Sequence, residues 1–568
     1  MDGHPTPGVA IFVCPQRRRL PLVGAVYRED MSQDFVERAE HIIDALMESE
    51  PLLAQEVGDH RFDDKIEDLS ADGVAARVSM LTDASNALAD VDTDALSRDE
   101  YVDWEALSNA VAQRLFMLTE VKEHEWDVLR HSPAPFIEPL LHHPNVSAEE
   151  RLGSLLSRLE AIPDAAAASK QTLTRAPKLH AVLGAAQYRS TSDLVRTEVA
   201  ALAREVPGLE TKAAPIIEAA ADAMTDFAGW LDGTETGHSP RLGRKLWEGK
   251  LWLTLDTHMS ATDILDKTSR WIAELTTRLT EVAKQYLAEN NKTADGDVID
   301  AAFALAAQMR ASDDTIVDMA RSLVDEATLF TTDNNLVSLI DRPLRVTRMP
   351  RNMQGITAAY YEQPGAFELD SPPGQFHVST APGTWGPAQT DSFYRENNAH
   401  MLRCLAVHEV TPGHHLQAAH ARQYRGATRT RAVCGSGTFV EGWAVYVEEL
   451  LATKGFGGTA YALHQWKRQL RMVVDAAVDQ LAHCEDLSGA DAADLFQTHG
   501  RLPLHAAESQ WARALLSSTQ LSTYFVGYSE MSAIAYSRPK DTPQRLWHDR
   551  MLSQGTVAPR HLAALLDL

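Results

Sequence analysis

Residues 405–420 read LAVHEVTPGHHLQAAH. His408 and Glu409 form the first half of a helical zinc pattern, in which two histidines four residues apart share an ion and the adjacent glutamate acts as general base. The second half fails, because the residue four after His408 is Pro412. Proline has no amide hydrogen for the carbonyl of His408, and Gly413 is a poor helix former, so a regular helix is not expected through this point. On an undistorted helix, at about 100° per residue, His414 lies roughly 120° round from His408, whereas His415 is nearly in line but two turns away. Two local solutions stay open. The helix can be overwound or bulged at Thr411-Pro412-Gly413, letting His414 drop into the vacant place. Alternatively, a new helix starts with Thr411 as N-cap and Pro412 at its first position.

A hydrolytic zinc needs about three protein ligands and one open position. The next acid with helical context is Glu441, in CGSGTFVEGWAVYVEEL at 434–450. Thr438-Phe-Val-Glu441 is also a capping box, in which Glu441 would bond the Thr438 amide instead of a metal. Glu448 follows seven residues later on the same helical face, placed to orient a ligand histidine from behind. The competing reading makes His408, His414 and His415 ordinary polar residues of a surface helix. Their apolar flanks, Leu405, Ala406, Val407 and Leu416, weigh against it.

The rest of the chain bounds the function. Its 568 residues carry 79 acids against 53 bases, a net charge of -26 spread along the sequence, which repels nucleic acid and anionic membrane surfaces. Four cysteines without paired spacing, Cys14, Cys404, Cys434 and Cys484, exclude a cysteine-built metal site and a disulfide framework. Cys434, before Gly-Ser-Gly, reads as part of a loop leading into the Glu441 helix rather than as a nucleophile. The N-terminal MDGHPTPGVAIFVCPQRRRLPLVGAVY has its arginines after a very short apolar run, the wrong order for a secretory signal. No apolar run reaches the roughly 18 residues of a membrane helix. These features predict a cytoplasmic protein with no membrane partner.

An aromatic content of 7% and long Ala/Leu/Glu/Arg stretches favour helix. Phe35, Ala39, Ile42, Ile43 and Leu46 share one helical face, as do Ile264, Leu265, Trp271, Ile272, Leu275, Leu279 and Val282. SPAPF (132–136), EVPG (205–208) and GTETGHSPRLG (233–243) punctuate helices. Between about 331 and 395 the texture changes, and LRVTR (344–348), ITAAYY (356–361) and QFHVST (375–380) read as strands of a small sheet. The expected organisation is an N-terminal extension (1–27), a helical region forming one side of a cleft (28–330), and a catalytic region with the sheet and metal-binding helices (331–568). The fold class is mainly α.

The pattern His-Glu-x-x-Pro-Gly-His-His-Leu-Gln, followed by Glu-Gly-Trp-Ala-x-Tyr-x-Glu, closely resembles the bacterial family called domain of unknown function 885, grouped with the gluzincin-like zinc metallopeptidases. The resemblance extends to AAYYEQPGAFELDSPPGQF (358–376), RMVVDAAVD (471–479), the Tyr-x-x-Gly of Tyr524 and Gly527, and WHDRMLSQGTVAPRHL (547–562). It covers most of 340–568, with lower specificity before that. It implies a helical zincin with a small sheet beside a deep active-site cleft. It further implies that His408, His414 and Glu441 bind one Zn2+, or another divalent ion in its place, with Glu409 as base. His415 is the alternative ligand. An oxyanion-stabilising residue across the cleft is implied, for which Tyr524 and Tyr528 are the candidates, with His548 behind them. One departure stands out: Asp475-Ala-Ala-Val-Asp479 occupies the place of the family's usual Asp-x-Gly-x-His. A carboxylate at Asp479 cannot donate to an oxyanion and adds negative charge if it faces the metal.

The expected function is zinc-dependent hydrolysis of a peptide or small amide. The altered Asp479 motivates a second reading, a metal-dependent tailoring enzyme of small-molecule metabolism with a non-peptidase reaction. A third is a non-catalytic metal-binding or scaffold protein.

Overall fold

The computed structural model describes residues 25–143, 146–234, 237–355, 357–368 and 372–568, with backbone alone for 25–33 and 352. Most of the expected N-terminal extension, including Cys14 and the arginine run, lies outside the described residues. From Ala25 to Asp333 the described chain is helix after helix. The helix Ala25–Ser49 buries Phe35, Ala39, Ile42, Ile43 and Leu46, the face that its periodicity predicts. The helix Ala261–Glu289 begins at a reciprocal cap between Ser260 and Asp263 and buries Ile264, Leu275 and Leu279. Leu265, Trp271, Ile272 and Val282 flank that face half-buried, and Trp271 packs edge-on against Phe525 and Tyr528. Full burial of each such side chain contributes about 1.5–3 kcal/mol.

The predicted breaks fall between helices. Pro133 caps the helix Ala134–Leu141, EVPG separates Ala200–Glu205 from Glu210–Gly233, and the stretch 233–243 leads into Arg244–Leu255. One apolar cluster joins Trp247, Leu275 and Leu279 to Trp443, Tyr461, Phe525 and Leu562, so helices on either side of position 330 share a core.

The sheet has three strands in the order β1-β3-β2. Strand β1 (Leu344–Arg348) runs parallel to β3 (Gly374–Val378), and β3 runs antiparallel to β2 (Ala359–Glu362), which leaves β2 at an edge. Phe376 and Val378 of β3 pack against Leu402, Leu405, Ala406 and Val410. The sheet therefore lies on the helix that carries His408 and Glu409. Among the described residues, no helix is long and apolar enough to cross a membrane.

Candidate metal centre

The helix Ala399–Glu409 starts at Asn398, whose side chain accepts from the amides of His400 and Met401, and it stops where proline forbids its continuation. The Thr411–Pro412 peptide is cis, and a second helix runs His414–Ala421. The second of the two local solutions is therefore realised, with one correction: the N-cap position belongs to Gly413, not Thr411, and Pro412 precedes the helix. Gly413 has no side-chain alternative, since a Cβ there would lie 1.9 Å from the His408 carbonyl oxygen and 2.3 Å from that of Val407. The indole of Trp443 donates to the Pro412 carbonyl at 2.8 Å and fixes the reversal from outside. As a result the first residue of the second helix faces the last turn of the first. The rings of His408 and His414 stand 4.7 Å apart, nearly perpendicular.

Glu441 completes the group. Its Oε2 lies 3.5 Å from His408 Nε2 and 3.6 Å from His414 Nε2, with all three atoms within 4.8 Å of one another. Tetrahedral ligands at about 2.0–2.1 Å from a zinc ion stand about 3.3 Å apart, so these separations suit three ligands around one ion better than hydrogen-bonded partners. Glu441 Oε2 is buried without a hydrogen bond, as is His414 Nδ1. A buried carboxylate oxygen without a donor is costly, and a cation in the gap removes that cost. The rival capping role is not adopted. Ser436 caps the helix Gly437–Thr453 by accepting from the Phe439 amide, while the Thr438 hydroxyl bonds the Leu255 carbonyl. His415 points elsewhere, with Nδ1 3.1 Å from the Tyr361 hydroxyl. Of the two late histidines, His414 is the one in the cluster.

Behind His408 stands a charged pair. Glu448 accepts from His408 Nδ1 at 2.6 Å and from Arg468 at 2.9 and 3.0 Å, which turns His408 Nε2 towards Glu441. Burial alone would raise the Glu448 carboxyl, but Arg468 and His408 hold it down to about 2. Burial likewise favours a protonated Glu441, yet His408 and His414 keep it well below the usual carboxylate range. Both carboxylates are thus ionised and able to attract a divalent ion. Arg468 carries no local sequence signature; it sits on the helix Gly458–Cys484, far along the chain from the motif.

Glu409, beside the three ligand candidates, accepts from the Tyr361 amide of β2 through Oε2 at 3.0 Å. The edge strand β2 thus holds the candidate base by one of its amides. Tyr524 approaches from the helix Gln520–Tyr536. Burial first, then the negative charges of Glu441 and Glu409, push its hydroxyl up to about 12, keeping it a proton donor. Its approach depends on a bare crossing of two helices: a Cβ on Gly442 would lie 2.3 Å from the Gly527 carbonyl oxygen, and one on Gly527 2.4 Å from that of Thr438. Side chains at either position would separate Tyr524 from Glu441.

Other expected site residues are not brought to the cluster. Tyr528 donates to Glu449, which also accepts from Gln469 and Tyr536. His548 is a buried core histidine, with Nδ1 on the Leu336 carbonyl at 2.8 Å and Nε2 2.9 Å from the Tyr446 hydroxyl, and burial lowers it to about 4. Asp479 does not face the cluster of His408, His414 and Glu441. Its two oxygens accept from the Trp247 indole, the amides of Thr519 and Ser522 and the Ser522 hydroxyl, so the carboxylate anchors the start of the helix Gln520–Tyr536. Asp475 lies 3.8 Å from Arg471 and close to Arg513, which also contacts Tyr524; burial raises it. Burial raises the Cys434 thiol to about 11, the opposite of the lowered value that activates a nucleophilic cysteine.

No curated protein sequence matches the chain. Among solved structures, a candidate lipoprotein of unknown function from Shewanella oneidensis superposes with a TM-score of 0.81 at 21% identity, covering 94% of this chain and 100% of its own. A candidate lipoprotein from Colwellia psychrerythraea gives 0.76 at 14% identity, covering 95% and 98%. A carboxypeptidase from Deinococcus radiodurans R1 reaches only 0.37 at 10% identity, over 95% and 91%, too slight a likeness to weigh. The expected cytoplasmic location is not borne out, since the two closely superposing folds belong to proteins described as candidate lipoproteins. The motifs around His408 and Glu441 and the family match over residues 51–566 agree, and the chain belongs to the bacterial proteins of unknown function grouped as DUF885.

Proposed function

We propose that the chain is a zinc-dependent hydrolase of peptide or small amide bonds, with His408, His414 and Glu441 as metal ligands and Glu409 as general base. The observation that carries this reading is the convergence of two imidazole nitrogens and an unpartnered carboxylate oxygen beside a second carboxylate held at an edge strand. When bound, the ion supplies a Lewis acid for the scissile carbonyl and acidifies a water. Glu409, with Oε2 fixed by the Tyr361 amide, takes the water's proton at Oε1 and returns it to the leaving nitrogen. Glu448 and Arg468 hold His408 in the tautomer that offers Nε2. The Tyr524 hydroxyl donates to the oxygen on which negative charge develops.

The altered Asp479 motivates the reading of a non-peptidase tailoring enzyme, and its carboxylate accepts from Trp247, Thr519 and Ser522, contacts that lend that reading no added support. The test is Glu409→Gln, assayed with a peptide library read by mass spectrometry. The variant should keep the parent's zinc content and lose about 10²–10⁴-fold in turnover. Full turnover in that variant contradicts the assignment of the base.

A further inference from the structure

A second group of side chains repeats the chemistry of the first. His60 stands in the short turn His60–Phe62 that follows the helix Pro51–Val57, His143 follows the helix Ala134–Leu141, and Glu368 lies in the loop leaving β2. Glu368 Oε1 is 3.2 Å from His60 Nε2 and 3.3 Å from His143 Nε2. The two rings stand 5.1 Å apart at 83°, and the three ligand atoms fall within 4.8 Å of one another. Asp63 accepts from His60 Nδ1 at 2.8 Å, as Glu448 does from His408. That contact leaves Nε2 as the nitrogen turned to Glu368.

We propose that His60, His143 and Glu368 form a second, structural site for a divalent cation of the zinc class, oriented by Asp63. Two imidazoles and one carboxylate select zinc, nickel or cobalt over calcium and magnesium, which prefer all-oxygen shells. The ligand separations match the roughly 3.3 Å edge of a tetrahedral zinc site. The pieces are held before any ion arrives. The Phe367 amide donates to the Val57 carbonyl at 2.8 Å, and Arg422 donates to the carbonyls of Gly365 and Pro364 at 2.6 and 3.1 Å. Side-chain exposures of 36% for His60 and 18% for His143 leave room for water at a fourth position. The three side chains come from the loop leaving β2 and from the ends of two N-terminal helices, so the role is to tie that loop to those helices. Because Tyr361 of β2 holds Glu409, the site braces the strand on which the candidate base rests.

The test uses the full chain stripped with EDTA, reloaded with Zn2+ alone, dialysed and analysed for bound zinc. The parent should hold two equivalents. His408→Ala/His414→Ala should keep one, His143→Ala/Glu368→Gln should also keep one, and the fourfold variant none. Retention of the parent's full zinc content by His143→Ala/Glu368→Gln, or none in His408→Ala/His414→Ala, overturns the second site. Loss of no zinc in His408→Ala/His414→Ala would instead sink the first assignment, so the two failures are distinguishable. Should the double variant misfold by circular dichroism, His143→Gln is read in the His408→Ala/His414→Ala background. Added Zn2+ should raise Tm by several degrees before that change and leave it unmoved after; an equal rise in both overturns the proposal.

Discussion

The two histidine–glutamate clusters are built alike and set differently. Each has two imidazole nitrogens facing one carboxylate oxygen, at 3.5 and 3.6 Å around Glu441 and at 3.2 and 3.3 Å around Glu368. Each has a second carboxylate on the far nitrogen of one histidine. The first, however, is built on a buried His408, its orienting Glu448 is itself neutralised by Arg468, and Glu409 and Tyr524 stand beside it. The second is opened to water by His60, whose side chain is 36% exposed. Ligand type makes a metal site, and the groups around the ligands decide whether it can do chemistry.

The contrast can be broken most severely at its carboxylates. Glu441→Gln should lower kcat/KM by more than about 10³-fold, because the Lewis acid and its water are lost together; Glu368→Gln should show its effect in zinc content. Tyr524→Phe comes next, with kcat down by about 10²-fold and zinc content unchanged, since it removes a donor to the developing charge and no ligand. If Tyr524→Phe instead loses zinc, the tyrosine supports the fold of the site rather than its chemistry. The orienting carboxylates give the smaller effects. Glu448→Gln should weaken zinc binding about 10–100-fold, leaving the half-buried Arg468 without its partner. For Asp63→Asn the loss should be only ~3-fold, because water can reach the exposed His60 and take the carboxylate's place. Equal losses in zinc titrations of the two variants would erase the difference in burial on which the comparison rests.

The first cluster was legible in the sequence because it is local. His408, Glu409 and His414 lie within seven positions and Pro412 announces the reversal between them. Glu441 and Glu448 were readable from their seven-residue spacing on one helix. Which residue caps that helix was not, as Ser436 and Thr438 are both competent and only the packed Leu255 carbonyl decides between them. The direction of Asp479 was left open for a related reason: sequence gives a carboxylate's type but not the way it faces, and its partners Trp247 and Ser522 are 232 and 43 residues away. His60 and Glu368 lie 308 positions apart, with His143 225 from Glu368, beyond any spacing rule. The mainly helical fold was readable from periodicity, as the faces of Ala25–Ser49 and Ala261–Glu289 bear out. The location was not, because the N-terminal reading weighed only the order of charged and apolar residues, whereas the finding against it comes from proteins of like fold.

The central claim is the placement of one ion by His408, His414 and Glu441, and anomalous diffraction at the zinc edge from crystals soaked in Zn2+ tests it most directly. A peak is expected about 2.0–2.2 Å from His408 Nε2, His414 Nε2 and a Glu441 carboxylate oxygen. A peak on His415 in place of His414, or none between these three side chains, would contradict it.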